Sequence, residues 1–207
     1  MTNSKKIITI SREFASGGTY IAKRVAQLLE VPYYDKELIS MVAKESGFSL
    51  EFVEETGEYS ATSSLLFNLS TLGNLYGSPG YTPENIPTVD KVHQIQSKII
   101  NEIASKGSCV IVGRSSNFIL RARDDVLNVF IFGEETMKIE RAMSIDSSLS
   151  TGKKALKQIK KQDRLRANHY RYYTGRPWGD ARHYSLCLNS SELGFEKCCE
   201  IIIKAAK

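Results

Sequence analysis

Residues 7–24 read IITISREFASGGTYIAKR, and this stretch decides the fold. It begins with β-branched apolar residues typical of a buried strand, passes through a turn of small residues, and continues with apolar residues at helical spacing. In a parallel α/β protein, such a junction points backbone N–H groups and the positive end of a helix dipole at one spot. We therefore predict a buried strand, a tight loop and a helix N-terminus that together suit a phosphate group.

The loop can be aligned with the phosphate-loop pattern G-x-x-x-x-G-K-[ST]. Gly17 and Thr19 match this pattern, whereas Arg12 replaces its first glycine and Gly18 replaces its lysine. A degenerate match of this kind is also found in ordinary strand-to-helix turns. The position of the loop, directly after the first strand, favours the phosphate site.

The composition is that of an ordinary globular protein. The chain has 207 residues, of which 42% are hydrophobic and 25% charged, and this is enough for one sizeable core. The sequence shows neither a signal peptide nor a run that could span a bilayer, so we expect a cytoplasmic protein without a membrane partner. Its four cysteines lack metal-ligand spacing and are expected to be reduced packing residues.

Strand and helix patterns alternate along most of the remaining chain. We predict strands at 31–35, 109–112, 126–132 and 184–189, and helices at 36–46, 88–105, 134–143 and 194–206. The unbroken apolar run at 109–112 is typical of a central parallel strand covered on both faces. The pattern predicts an α/β fold, with a parallel sheet of about five strands and helices on both faces.

Two segments depart from this alternation within a predicted single domain of 1–207. Residues 47–87 lack clear periodicity, and a segment of this length in a compact chain is usually a functional arm. Residues 151–183 are rich in cations, and a helix with so narrow an apolar stripe should lie partly away from the core, as a lid over an anion. The predicted core comprises 5–46, 88–150 and 184–207.

The basic segment leaves other interpretations open. A run of charges is most often a solvated helix face. Arginines also alternate with the tyrosines of 170–173, which is compatible with binding to single-stranded nucleic acid. The pair Asp163 and Arg164, with Arg166 close by, lies where the helix approaches these aromatic residues, and this favours the lid.

Two polar residues follow predicted strands at the edge where open α/β sheets bind ligands. Asp35 can contact a hydroxyl or an amine of a ligand there, or it can cap the next helix. Arg114 follows a glycine turn after the strand at 109–112, where its guanidinium can form a bidentate pair with phosphate or carboxylate. The alternative for Arg114 is a surface salt bridge, and we favour the ligand role.

Several short motifs, in this order, resemble the cytidylate kinase-like proteins, a branch of the nucleoside monophosphate kinases. They are ISREFASGG at 10–18, YYDKEL at 33–38, VGR at 112–114, RLRANHY at 164–170, YYTG at 172–175 and LCLNSS at 186–191. The resemblance spans nearly the whole chain. It implies a P-loop NTPase-type fold with a helical monophosphate-binding arm at about 47–87 and a lid at about 151–183.

The resemblance also implies an activity and its cofactors. The protein would transfer the γ-phosphoryl group of ATP to a nucleoside monophosphate, with CMP or dCMP as the acceptor. The donor phosphates would be bound by Ser16, Gly17, Gly18 and Thr19, and Thr19 would also bind Mg²⁺. Nucleotides, rather than nucleic acid, are therefore the expected partners, and the sequence indicates no oligomeric state.

The remaining roles implied by the resemblance concern the acceptor and the lid. Arg114 would bind the acceptor phosphate, and Asp35 and Lys36 would lie near the acceptor nucleoside. Arg164 and Arg166 would close over the transferring group as catalytic cations, with Arg141 as a further substrate-binding candidate. Phosphoryl transfer requires alignment and positive charge rather than covalent chemistry from the protein.

Two departures from authentic cytidylate kinases bear on activity. Gly18 stands in place of the loop lysine, and Val112 stands in place of the acid expected before Gly-Arg. Losing a preorganised cation should lower the rate by roughly a hundredfold unless another cation replaces it. We predict Arg12 as that replacement, with Lys23 one turn further on. Two alternatives remain, a kinase with another small-molecule acceptor and a nucleotide-binding protein with weak catalysis.

Overall fold

A computed structural model describes the structure of residues 6–59 and 88–207. Its strands are β1 (Ile7–Arg12), β2 (Tyr33–Tyr34), β3 (Cys109–Val112), β4 (Val126–Phe132) and β5 (Leu186–Asn189). Its helices are α1 (Gly18–Leu29), α2 (Lys36–Ser46), α3 (Leu50–Tyr59), α4 (Thr88–Lys106), α5 (Ser116–Ile119), α6 (Glu135–Ile145), α7 (Gly152–Thr174), α8 (Ser190–Leu193) and α9 (Phe195–Ala206).

The strands form one parallel sheet in the order β2-β3-β1-β4-β5. β1 is central, and Ile7 lies opposite Cys109 of β3 on one side and Val126 of β4 on the other. All six residues of β1 are buried, as expected for a strand with helices on both faces of its sheet. The predicted five-stranded parallel sheet is confirmed.

Two apolar clusters cover the two faces of the sheet. α1 and α9 pack on the face that carries Ile8 and Ile10 of β1. α2, α3 and α4 pack on the opposite face, which carries Ile7. These clusters hold the carboxyl ends of β1, β2 and β3 at one edge of the sheet, where the polar residues of the predicted site begin.

α7 is attached by a third and much smaller cluster. Ala155 and Ile159 of α7 are buried against Ala142 of α6, and Phe14 of the loop after β1 packs at their margin. α7 also packs against α3, and its later turns contact the end of β1 through Arg166 and helix α4 through Tyr173. Its narrow apolar stripe therefore positions α7 over the helices beside the loop, outside the main core.

The predicted arm begins with a helix, α3, in agreement with the helical arm that the resemblance implied, whereas some other elements differ in their bounds from the prediction. Val53 of α3 is fully buried in the core cluster formed with α2 and α4. The rest of that arm, residues 60–87, lies outside the described residues. The strand predicted at 31–35 is only two residues long, and a short helix, α8, precedes the predicted closing helix.

Two further observations concern the whole described chain. None of its helices is both long and apolar enough to cross a membrane. The four cysteines are free thiols, of which Cys109, Cys198 and Cys199 are buried and Cys187 partly buried.

Candidate functional site

The loop between β1 and α1 is shaped from its buried side. Gly17 has a φ of +80°, and the Phe195 ring lies 2.5 Å from the place where a Cβ atom would stand, so only glycine fits. Ser16 is fully buried; its hydroxyl donates to the Glu13 carbonyl at 2.9 Å, and its own carbonyl accepts from Ser190 at 2.7 Å. The Ser16 side chain thus stabilises the loop instead of facing a ligand.

A cleft of about 570 Å³ lies over this loop at the carboxyl edge of the sheet. It brings together most of the residues that the sequence predicts for the site, namely Arg12, Gly17, Gly18, Thr19, Asp35, Lys36, Arg114, Arg141 and Arg166. Ser16 lies beneath the cleft, and Arg164 lies elsewhere. Tyr20 and Lys23 of α1 complete the wall on the loop side.

Arg12 and Gly18 form a matched pair. A Cβ atom on Gly18 would collide with Cβ of Arg12 and lie 3.0 Å from its Cγ and 3.3 Å from Cβ of Ile131. No side chain therefore fits at position 18 while Arg12 keeps this conformation. The two departures from the phosphate-loop pattern are therefore sterically linked, because Arg12 at the end of β1 occupies the space that a side chain at position 18 would need.

Arg114 is held in the cleft by an unusual turn. Gly113, Arg114 and Ser115 have φ values of +66°, +57° and +54°, and such values are uncommon for residues other than glycine. The side chain of Gln96 donates to the Arg114 carbonyl at 3.3 Å. Because Arg114 is only 6% exposed, the alternative of a surface salt bridge does not describe it.

Asp35 occupies the residue before α2, but its carboxylate makes no hydrogen bond that caps the helix. It accepts instead from the Tyr33 hydroxyl at 3.1 Å and lines the cleft. Burial and the Asp35 charge raise the pKa of Tyr33, so Tyr33 stays a donor. The cleft therefore has an acidic side, which Glu54 of α3 extends.

Positive charge predominates in the cleft, where the lining residues include six cationic and three acidic side chains. One of the three acids, Glu13, has its carboxylate 2.7 Å from Nζ of Lys138 and also accepts from the Gly133 amide at 3.3 Å. The remaining field favours an anionic ligand. Lys138 was not predicted as a site residue, since a single lysine on an amphipathic helix is typical of the exposed surface.

The middle of α7 contacts the loop directly. Nη1 of Arg166 donates to the Arg12 carbonyl at 3.2 Å, and the Phe14 amide donates to Oδ1 of Asp163 at 2.6 Å. The Arg166 guanidinium also lies 5.9 Å from the centre of the Phe14 ring. Burial raises the pKa of Asp163, and the Phe14 amide, Lys138 and Arg166 oppose that shift. Arg166 is thus fixed beside the loop.

Arg164 is the one predicted cation that the structure places away from the cleft. It is exposed and lines a separate depression of α7 together with Lys153, Leu156, Lys157, Lys160 and Lys161. Residues two apart on a helix are about 200° apart around its axis, so Arg164 and Arg166 cannot face the same side. The structure therefore does not bring Arg164 together with Arg166 at the cleft, and a role of Arg164 over the transferring phosphate stays a prediction.

The cleft also has an aromatic neighbour that the sequence did not indicate. The Arg141 guanidinium lies 4.9 Å from the centre of the Phe195 ring, and Tyr20 packs on the same ring with 5.6 Å between centres. Phe195 thus links the first turn of α9 to both the loop and Arg141. This contact could not be inferred from the sequence, because α9 and the loop come together only in the folded structure.

Comparison with known proteins agrees with this geometry. A family model for the cytidylate kinase-like family matches residues 7–192. The chain belongs to the cytidylate kinase-like family. Within the curated proteins, no match to the chain was found.

Solved structures show the same fold. An uncharacterized protein from Eubacterium ventriosum is 27% identical, with 97% of each chain covered and a TM-score of 0.71. Shikimate kinase from Bacteroides thetaiotaomicron is 14% identical over 96% of this chain and 94% of that one, with a TM-score of 0.52. Shikimate kinase from Acinetobacter baumannii is 10% identical over 98% and 93%, with a TM-score of 0.53. The predicted P-loop NTPase-type fold is confirmed.

Proposed function

We propose that this family member is an ATP-dependent phosphotransferase that moves the γ-phosphoryl group to a nucleoside monophosphate, with CMP or dCMP as the acceptor. The observation that carries the proposal is the convergence of Arg12, Arg114 and Arg166 on one cleft at the N-terminus of α1. These cations come from the end of β1, the turn after β3 and the middle of α7. Such an arrangement suits the negative charge of phosphoryl transfer.

The donor nucleotide is assigned to the loop side of the cleft. Main-chain N–H groups at Gly17, Gly18 and Thr19 and the dipole of α1 provide an anion site for its phosphates. Arg12 supplies the charge that the usual loop lysine provides, because its side chain runs against Gly18. The N-terminus of α1 and Arg12 together are expected to bind the β- and γ-phosphates.

The residues present also fit a magnesium ion. Mg²⁺ keeps several waters and needs only one or two protein oxygen ligands besides the phosphates of the substrate. The Thr19 hydroxyl and the Asp35 carboxylate both line the cleft, whereas Val112 is an apolar residue of the core and offers no ligand. We assign Thr19 to the metal. When bound, the ion would neutralise negative charge on the phosphates of the donor nucleotide.

The acceptor is assigned to the opposite side of the cleft. Arg114, Asp35 and Lys36 all line the cleft, and we assign Arg114 to the acceptor phosphate and Asp35 and Lys36 to its sugar or base. Arg166 also lines the cleft and is expected to stabilise the group in transfer. Arg141, on the loop side beside Phe195, is assigned to the donor nucleotide rather than to the acceptor.

An assay of nucleotide products tests the proposal. Purified protein is incubated with ATP, Mg²⁺ and one of CMP, dCMP, UMP, AMP or GMP, and diphosphates are separated by anion-exchange chromatography. We expect CDP or dCDP to form fastest, and we expect Arg114→Ala to raise the KM for the acceptor more than that for ATP. ATP binding without a diphosphate from any monophosphate would overturn the proposal.

A second acceptor class is favoured by one observation. The Asp35 carboxylate caps no helix and faces the cleft, where it could accept a proton from the hydroxyl group of a small-molecule acceptor. A phosphate acceptor needs no such base. Asp35→Asn therefore separates the two classes, because kcat should fall more than about a hundredfold for a hydroxyl acceptor and only a few-fold for a monophosphate.

A further inference from the structure

The phosphate-binding loop is held from outside by charged side chains. Each of the residues 12–14 contacts one side chain of α6 or α7, respectively Arg166, Lys138 and Asp163. Two of these contacts reach the main chain of the loop. The conformation of the loop thus depends on helices that are distant from it in sequence.

Asp163 lies at the centre of this arrangement. One oxygen accepts from the Phe14 amide at 2.6 Å, and the other lies 3.7 Å from Nζ of Lys138. Nη1 of Arg166, one turn along α7, lies 3.9 Å from the first oxygen. The Asp163 side chain is 18% exposed, so water screens these interactions only weakly.

Keeping a charge at this position has a cost. Burial raises the pKa of Asp163, which means that the ionised form is less favourable there than in water. A neutral residue of the same shape could form the Phe14 hydrogen bond without that cost. A charged group that lowers the stability of the folded protein is more often required for function than for the fold.

We propose that Asp163 is a positioning residue for phosphoryl transfer, an inference that rests on the function proposed above. Its carboxylate fixes the main chain of the loop at Phe14 and holds the Arg166 guanidinium beside that loop. The two effects are separable, because the hydrogen bond requires only an acceptor oxygen, whereas the hold on Arg166 requires the negative charge. The middle of α7 and the loop then move as one body.

The experiment uses the 207-residue chain with Asp163→Asn, Asp163→Ala and a matched surface control, Asp146→Asn, whose carboxylate accepts hydrogen bonds from the amide and hydroxyl of Ser148. Three quantities are measured, namely amide hydrogen exchange of the 13–17 loop, the Kd for a fluorescent ATP analogue, and kcat for phosphoryl transfer. Thermal unfolding is followed in parallel, so that loss of fold is separated from loss of position.

The expected results differ between the two variants at Asp163. Asp163→Ala should speed exchange at the loop and raise the Kd about tenfold, because the Phe14 amide loses its acceptor. Asp163→Asn should keep loop exchange and Kd within about twofold and lower kcat about tenfold, because the Phe14 amide keeps an acceptor while the attraction to Arg166 and Lys138 is lost. Its melting temperature should equal or exceed that of the unchanged protein.

Two results would overturn the inference. In the first, hydrogen exchange, ATP binding and kcat of both Asp163 variants match those of the Asp146→Asn control. In the second, Asp163→Asn loses activity only in proportion to its loss of folded protein. If the unchanged protein transfers no phosphoryl group at all, the proposed function fails, while loop exchange and ATP binding still decide whether Asp163 positions the loop.

Discussion

Helix α7 has an inner face, which carries Asp163 and Arg166 and contacts the loop after β1, and an outer face, which carries Lys160 and Arg164. The two faces carry cations in opposite environments. On the inner face, Arg166 has a side chain only 10% exposed and is held by Asp163 and a loop carbonyl. On the outer face, the side chain of Lys160 is 68% exposed, and its Nζ lies 3.6 Å from a carboxylate oxygen of Glu135. Both belong to one basic run of the sequence. The comparison shows that buried partners, and not the density of charge, distinguish a cation that can act on a ligand from one that is solvated.

The largest expected difference between the two faces is between Arg166 and Arg164. Arg166→Ala should lower kcat/KM by several hundredfold, since it removes a preorganised cation from the cleft. Arg164→Ala should change kcat/KM by less than about twofold, since an exposed cation in high dielectric contributes little. Steady-state kinetics with ATP and the preferred acceptor measure both. Equal losses in the two variants would show that the outer face also reaches the transferring group.

Within the inner group, the exchange of Arg12 and Gly18 provides the next test. Arg12→Gly alone should lower kcat about a hundredfold by removing the cation. Gly18→Lys alone should also inactivate and destabilise the protein, because its Cβ meets the Arg12 side chain.

The combined variant, with both substitutions, restores the usual phosphate-loop pattern. We expect it to recover at least about tenfold in kcat over either single variant, a non-additive result measured as a double-mutant cycle. Strictly additive losses would mean that the site requires an arginine at the end of β1 and does not accept a lysine at position 18 in its place.

The inner face continues to the end of α7, where Tyr173 stacks on His93 at 3.6 Å between ring centres. Burial lowers the pKa of His93 to about 4, from an ordinary value of 6.5. Between these pH values the unfolded chain binds more protons than the folded one, so stability should fall as the pH is lowered from about 6.5 to 4. We expect a loss of about 2 kcal/mol, measured by urea unfolding at a series of pH values.

The control for this loss is a pair of histidine variants. His93→Gln should make stability nearly independent of pH in that range, and His183→Gln, near the protein surface, should leave the dependence unchanged. A dependence that persists in His93→Gln would assign it to another group.

The smallest effect is expected on the outer face itself. A triple variant, Lys153→Gln with Lys157→Gln and Lys161→Gln, should leave kcat/KM within about twofold and the melting temperature within a few degrees. Binding to single-stranded RNA, measured across salt concentrations, tests whether this face has a partner of its own. We expect no steep salt dependence, and a slope that disappears in the triple variant would show the nucleic-acid binding that the sequence left open.

Elements with strong local patterns could be predicted from the sequence. β3, β4 and α2 have the bounds that their apolar runs and periodicity indicated, because each is buried along one continuous surface. α3 was predicted only as part of a helical arm that the resemblance implied, and its bounds could not be predicted from the local pattern, since the segment lacks clear periodicity and Val53 and Thr56 are its buried residues among those described. Local pattern is informative where burial is continuous and less informative where a few residues anchor a helix.

The candidate site was predictable in a similar way. Arg12 ends β1, Asp35 and Arg114 lie just after β2 and β3, and topology alone brings strand ends to one edge. A dense basic run does not indicate which face of the helix is turned inwards, and Arg164 lies on the face away from the cleft. Lys138 and Phe195 reach the loop only through tertiary packing, so no spacing along the chain could reveal them.

The central position of β1 has a consequence for synthesis of the protein. β1 is entirely buried in the finished fold, yet its two neighbours in the sheet lie much later in the sequence and begin only at Cys109 and Val126. During synthesis, this apolar strand therefore stays unpaired until both neighbours have been translated, which slows folding and exposes the strand to aggregation. Yield in a cell should depend on a chaperone that shields the β1 segment, or on a lower growth temperature during expression.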